Sequence, residues 1–194
     1  MRMLAAAFAI VAASLLGNPG NAAVMTWSAN LSADQEIPPN PSTGTGNGWV
    51  KFDDITNELS LFVAWQSLTG VGVQAHIHCC VVAPPGNVGI ALDLWLPADP
   101  PRPATGSYSA SYDLDAVNPF RAAFTTANGG TTLGAMQALV NAMNSGEGRA
   151  YYNIHTARFP GGEIRGNLAV PEPTTLALLG LGLAGLAASR RRKQ

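Results

Sequence analysis

The chain has 194 residues, of which 47% are hydrophobic and 12% are charged, and its formal net charge is −1. This length suits one ordinary domain with a hydrophobic core, and the composition excludes a disordered chain. The near-neutral charge excludes the basic face with which proteins bind nucleic acids, and two cysteines are too few for a disulfide-rich miniprotein.

The N-terminus has the layout of a secretory signal peptide. Arg2 supplies a positive charge, residues 4–16 form an apolar run, and the Asn-Pro-Gly of residues 18–20 ends it before Ala22 and Ala23. These features predict a signal peptide over residues 1–23 and a mature domain over residues 24–170. The alternative is an uncleaved membrane anchor, although the run is shorter than the about 20 residues that span a bilayer.

The mature domain shows alternating apolar and polar residues in short segments separated by Gly, Pro and Asn. This period-two pattern is typical of antiparallel strands with one buried face. The predicted strands are residues 27–31, 50–52, 59–65, 74–82, 90–96, 108–114, 149–157 and 163–170. The pattern therefore predicts an all-β fold, an antiparallel β-sandwich or barrel.

All three histidines lie in two short motifs, Ala-His-Ile-His at residues 75–78 and Asn-Ile-His-Thr at residues 153–156. In a strand, His76 and His78 point to the same side, with Cα atoms about 6.5–7 Å apart. His155 supplies a third ligand if its strand is a neighbour. Three neutral imidazoles suit Zn or Cu, so the motifs form a candidate metal site. Alternatively, the histidines face water or bond to backbone carbonyls.

Both cysteines follow the first histidine pair directly. Cys80 lies on the side of His76 and His78 if the strand stays regular, which makes it a candidate fourth ligand. Exported proteins usually oxidise their thiols, so a disulfide between the adjacent Cys79 and Cys80 is the favoured alternative. An intermolecular disulfide is the third.

One segment has helical spacing. Its apolar residues are Leu133, Met136, Val140 and Met143. Thr132 is a candidate N-cap and Gly146 a candidate end, so the pattern predicts one short amphipathic helix packed on the sandwich. We interpret its methionines as core residues rather than metal ligands.

The sequence carries little support for catalysis. It contains no Gly-x-Ser-x-Gly motif. Asp53, Asp54 and Glu163 are carboxylates that could pair in principle, but acids beside turns are usually solvated or cap the turn, so no glycosidase chemistry is predicted. Residues 24–170 hold six Lys and Arg against eleven Asp and Glu, which indicates an acidic surface.

The C-terminus combines three features in order. Residues 176–188 are apolar, with a Pro-Glu-Pro triplet before them and a basic cluster after them. The residues concerned are Pro171, Glu172, Pro173, Arg190, Arg191 and Arg192. This tail, over residues 171–194, resembles the PEP-CTERM sorting signal. The resemblance implies export across the inner membrane of a Gram-negative bacterium, an apolar helix in the membrane, and processing by an exosortase that leaves the protein in the envelope, on the surface or secreted. A plain membrane anchor is the alternative.

An ordered set of motifs in the mature domain resembles the CHRD domain. The matching stretches are residues 31–39, 57–59, 68–70, 75–78, 152–156 and 160–166. The resemblance implies an immunoglobulin-like, all-β extracellular domain without a defined activity. Members of that family commonly have Gly-Pro after the His-x-His motif, where this chain has Cys79 and Cys80.

Two functions from different classes are therefore expected. The first is a non-enzymatic domain that acts in the extracellular matrix or surface layer, with extracellular polysaccharide or surface proteins as partners beside the export machinery. The second is an extracytoplasmic protein that binds Cu or Zn through His76, His78 and His155 and is a candidate for redox activity. A hydrolase is a third and weaker expectation.

Overall fold

The structure is a computed structural model that describes residues 24–146 and 148–171. The predicted signal peptide, the sorting-tail residues 172–194 and Glu147 lie outside the described residues. Within the described ranges, no helix combines the length and hydropathy needed to cross a membrane.

Eight strands form the framework of the domain, and every pair of neighbours is antiparallel. They are β1 (Val24–Ser32), β2 (Thr45–Asp53), β3 (Glu58–Gln66), β4 (Gly72–Cys79), β5 (Ile90–Trp95), β6 (Gly106–Asp113), β7 (Ala150–Thr156) and β8 (Ile164–Asn167). A short 3-10 turn, Ala33–Gln35, follows β1. The strands form one sheet in the order β5-β4-β7-β8-β1-β2-β3-β6. The all-β prediction is confirmed.

The sheet curls until its two edges approach each other. Trp95 of edge strand β5 lies 5.8 Å from Tyr108 of edge strand β6, measured between ring centroids, and 5.1 Å from Trp65 of β3. The result is nearly a barrel, whose two halves face each other across a core as sandwich layers do. The period-two pattern explains this core, since alternate residues of β3 from Leu59 to Trp65 are buried.

A glycine in β2 lets the two halves come close together. A Cβ atom on Gly48 would lie 2.8 Å from the Phe62 carbonyl oxygen and 3.0 Å from the ring of Tyr152 in β7. Because Gly48 has no Cβ atom, the Tyr152 ring lies against β2, and the Tyr152 hydroxyl donates a hydrogen bond to the Trp49 carbonyl at 2.9 Å.

Two helices follow β6 where the sequence predicts one. The predicted helix is α2 (Thr132–Asn144), with Met136, Val140 and Met143 buried but Leu133 45% exposed. Its N-cap is Thr131 and not Thr132, because a cap residue precedes the first helical residue; the Thr131 hydroxyl accepts the Gly134 N–H.

The unpredicted helix is α1 (Ala122–Ala127). Its six residues are too few to show a helical period, which is why the pattern does not reveal it.

Candidate metal centre

Strand β4 places two histidines on the outward side of the sheet. Ala75 and Ile77 alternate with them and enter the core. Strand β7 is the hydrogen-bonded neighbour of β4, and it brings His155 opposite Gln74. The expected adjacency of the two histidine motifs is therefore present, although 79 residues separate His76 from His155.

The three imidazoles meet at one point. The His76 Nδ1 and His155 Nε2 atoms are 3.2 Å apart, and the ligand atoms of His76, His78 and His155 all lie within 4.8 Å of one another. His76 is 1% exposed and His155 is 7% exposed, whereas His78 is half-buried. Among the described residues, these three alone form a group of His, Cys, Asp or Glu with ligand atoms at metal-binding spacing.

Two of the three rings bond to backbone carbonyls through their second nitrogen. The Nδ1 atom of His78 lies 2.7 Å from the Val88 carbonyl oxygen, and that of His155 lies 2.9 Å from the Pro160 carbonyl oxygen. The His76 Nε2 atom lies 3.5 Å from an Asp93 carboxylate oxygen. The two carbonyl contacts place the protons of His78 and His155 on Nδ1, so that the Nε2 atoms of both rings keep lone pairs for a metal ion. His76 Nε2 makes no hydrogen bond within the described residues, and His76 Nδ1 is within hydrogen-bonding distance of His155 Nε2.

Aromatic packing holds the His78 ring in position. This ring stacks on Tyr151, with a centroid distance of 4.8 Å and an interplanar angle of 4°. The Arg165 guanidinium lies 3.4 Å from the centroid of the same tyrosine. Because this packing sets the orientation of the His78 ring before any ion binds, the side chain loses little conformational freedom on binding.

The histidines are neutral at physiological pH. Burial lowers the pKa of His76 to about 3, helped by repulsion from His155 and His78 and opposed by Asp93. Burial also lowers the pKa of His78 to about 4, against the hydrogen bond to Val88, and it lowers the pKa of His155. Neutral imidazole is the form that binds metals, so protons compete little at this site.

A buried polar network adjoins the histidines. Asn153, the cross-strand partner of His76, donates a hydrogen bond to Glu36 at 2.7 Å. Burial raises the pKa of Glu36 to about 7, although the Arg165 charge and the Asn153 hydrogen bond lower it. Sequence reasoning missed Asn153 and Tyr151, which the period of β7 puts on the side of His155. It also missed Glu36 and Asp93, which carried no local signal.

Cys80 does not join the metal-ligand cluster. Strand β4 ends at Cys79, so the alternation that would have brought Cys80 beside His78 stops one residue earlier. The two cysteine sulfurs are instead bonded to each other, and neither cysteine is a free thiol.

The Cys79–Cys80 bond leads to a simple chemical prediction. The unfolded, unreduced protein should take up no iodoacetamide, and the reduced protein should take up two equivalents per chain, as measured by intact mass. Adducts before reduction, or a disulfide-linked dimer, would contradict this pairing.

The carboxylates named in the sequence have separate structural roles. Asp53 accepts the backbone N–H groups of Ile55 and Thr56 in the turn after β2. Glu163 is fully buried and bonds to Ser42, Thr69 and Thr156. Asp54 is exposed.

Comparison with known families agrees with this architecture. The profile of the CHRD domain matches residues 27–168, and that of the PEP-CTERM protein-sorting motif matches residues 169–193. No curated protein and no solved structure gives a significant match. The chain therefore belongs to the CHRD domain family and ends in a PEP-CTERM protein-sorting motif.

Proposed function

We propose that this protein is an envelope-sorted domain that binds one transition-metal ion, Zn or Cu, through His76, His78 and His155. The observation that carries the proposal is the arrangement of the rings: their ligand nitrogens lie within 4.8 Å of one another, while the Nδ1 atoms of His78 and His155 bond to backbone carbonyls. That arrangement is the usual surrounding of metal-bound histidine.

The spacing of the nitrogens supports this proposal. Ligands about 2.0–2.1 Å from a tetrahedral ion lie about 3.3 Å from one another. The 3.2 Å between His76 and His155 is close to that value. The largest separation in the cluster, up to 4.8 Å, means that the rings draw together by about 1–1.5 Å when the ion binds.

Burial favours binding over catalysis. The Nε2 atom of His78 is shielded from solvent, and the His76 and His155 residues are 1% and 7% exposed. Catalytic metal sites keep an open position for water or substrate, whereas structural sites are closed. We therefore propose a non-enzymatic role.

The sorting motif supports a location outside the cytoplasm. It indicates export and sorting to the bacterial envelope or surface, and it implies processing by an exosortase at the C-terminus. We further propose that the protein crosses the inner membrane of a Gram-negative bacterium and acts in the extracellular matrix or surface layer. A protein that binds no metal would keep only that passive role.

Metal titration tests the proposal. Purified protein stripped with EDTA should bind one equivalent of Zn2+ or Cu2+ by calorimetry and elemental analysis. At a free metal concentration of 100 times Kd, stabilisation of about 2.7 kcal/mol should raise Tm by about 5–10 °C. His76→Ala or His155→Ala should weaken binding at least tenfold.

Gln74→Ala is the matched control, because Gln74 lies on β4 opposite His155 without being a candidate ligand. A Cys79→Ser and Cys80→Ser double variant should also retain the ion. Absence of binding to both ions, or binding that survives His155→Ala unchanged, would overturn the proposal.

A further inference from the structure

The outward face of β1, β2, β3 and β6 is uncovered and carries a regular pattern. Three cross-strand rows run over it, since facing residues are paired in register. The rows are Ser28-Trp49-Phe62-Ser109, Asn30-Asn47-Ala64-Ser107 and Thr26-Lys51-Ser60-Ser111. Hydroxyl and amide side chains, together with Lys51, thus surround one aromatic pair. We call these twelve residues the serine-aromatic face.

The aromatic pair is flat and partly accessible, with the Lys51 ammonium 4.7 Å from the Trp49 ring centroid. The Trp49 and Phe62 rings are stacked with centroids 5.9 Å apart and an interplanar angle of 21°, and both rings are partly exposed. The other three tryptophans, Trp27, Trp65 and Trp95, are at most 2% exposed. Trp49 therefore differs from every other tryptophan of the chain in presenting its ring outside the core.

Two adjoining grooves lie along this face. One, of about 260 Å³, is lined by Trp49, Phe62 and Asn30 among others, and a second, of about 610 Å³, continues from Asn30 and Asn47 toward Ser107. No charged residue lines either groove. The Asn30 and Asn47 side chains make no hydrogen bond within the described part of the chain, so their amides are free for a ligand.

We propose that the serine-aromatic face binds an uncharged polysaccharide. The apolar C–H face of a sugar ring stacks on a flat aromatic ring, while amides and hydroxyls, which both donate and accept, bond to the sugar hydroxyls. Charged polymers fit less well, because the grooves have no charged lining, the one cation of the face, Lys51, lies opposite the Ser60 that bonds to the Glu58 carboxylate, and the acidic domain repels polyanions. A protein partner would require a larger contiguous apolar patch than two rings among serines.

This site is independent of the proposed metal centre. The histidines belong to β4 and β7, whereas Trp49 and Phe62 belong to β2 and β3. Polysaccharide binding should therefore persist in His155→Ala, so that failure of one proposal is distinguishable from failure of the other.

Affinity electrophoresis tests the inference directly. Native gels that contain dextran, hydroxyethyl cellulose or galactomannan should retard the wild-type protein with at least one of the three, and alginate should retard it less. Titration with oligosaccharides of the retarding polymer should change tryptophan emission. Trp49 is the only partly exposed tryptophan, so Trp49→Phe should abolish that emission change while keeping binding within a few fold.

Variants separate a binding role from a structural one. Trp49→Ala and Phe62→Ala should each weaken retardation at least tenfold, with thermal melting used to confirm that they fold. Leu133→Ala, which removes a 45% exposed apolar side chain on α2, is the matched control and should leave retardation unchanged. If Trp49→Ala does not fold, the emission change and its loss in Trp49→Phe decide the question.

Three results would overturn the proposal. The first is no retardation by any of the three neutral polysaccharides. The second is equal or stronger retardation by alginate. The third is a dimer in solution that Trp49→Ala converts to a monomer, because the face would then bind a second copy of this chain.

Discussion

Replacing Glu163 with alanine is expected to lower the free energy of unfolding by about 3–5 kcal/mol. Its fully buried carboxylate accepts four hydrogen bonds: from the Ser42 hydroxyl at 2.6 Å, from the Thr69 N–H and hydroxyl at 2.6 and 2.8 Å, and from the Thr156 hydroxyl at 2.5 Å. Removing it leaves the buried Thr156 hydroxyl without its acceptor and the Ser42 and Thr69 hydroxyls with only each other as acceptor among the described residues, at 3.4 Å, which costs more than the bonds themselves contribute.

This contribution also depends on pH. Burial raises the pKa of Glu163, but the hydrogen bonds from Ser42, Thr156 and Thr69 together lower it by more. The net pKa therefore lies below the ordinary value of 4.5. The stabilisation is therefore fully present above pH 4.5 and is lost as the pH falls through the lowered pKa.

Urea unfolding at pH 7 measures the effect of Glu163→Ala. A loss of this size corresponds to a fall in Tm of about 10 °C in a domain of this length. Glu58→Ala is a matched control, because the Glu58 carboxylate accepts bonds from the Ser60 and Ser111 hydroxyls at an exposed position, where the expected change is within about 0.5 kcal/mol. A loss below about 1 kcal/mol for Glu163→Ala would contradict the interpretation of this network.

The metal-free protein is expected to lose most of its stability between pH 6.5 and about pH 4. The unfolded chain protonates its histidines near pH 6.5, whereas the folded protein resists protonation until about pH 3 at His76 and about pH 4 at His78. The unfolded state therefore binds more protons in this window, and stability falls as the pH falls. At about 1.36 kcal/mol per pKa unit, His76 alone accounts for on the order of 3 kcal/mol down to pH 4.

Glu36 acts in the opposite direction. Burial raises its pKa to about 7, so its contribution to stability is present below pH 4.5 and is lost as the pH rises through 7. Glu36→Gln resembles the protonated acid and keeps an oxygen for the Asn153 hydrogen bond. This variant isolates the effect of the histidines.

Chemical unfolding of metal-free Glu36→Gln at pH 7, 6, 5 and 4 checks this prediction. A second variant that adds His76→Gln should show a shallower fall, since one fewer group takes up a proton on unfolding. Constant stability from pH 7 to 5 would show that the histidines are solvated and titrate normally, contrary to their burial in the structure.

The histidine site shows how far local patterns reach. Strand alternation predicts that His76 and His78 share a side, because this depends only on the period of the backbone. The approach of His155 depends on the pairing of β4 with β7, which no local pattern specifies. The acceptors at Val88 and Pro160 are loop carbonyls, so no side-chain type marks them in the sequence.

The cysteine pair and the helices show a related limit. The sequence extends the strand to residue 82, but β4 ends at Cys79, and this difference takes Cys80 out of the histidine row. An element's end depends on where its hydrogen-bonding partners stop, which is a tertiary property. Helix α1 was missed because six residues hold less than two turns of pattern.

The sequence by itself determined the strand-rich class, the family, the sorting motif and the residue types able to bind a metal, because these depend on period, composition and motif order along the chain. Only the tertiary structure decided which histidine nitrogens converge, which groups bury them, and which aromatic pair stays outside the core. Strand order and sheet curvature make these choices by bringing together residues far apart in sequence, and their free energy comes from packing that no single segment contains.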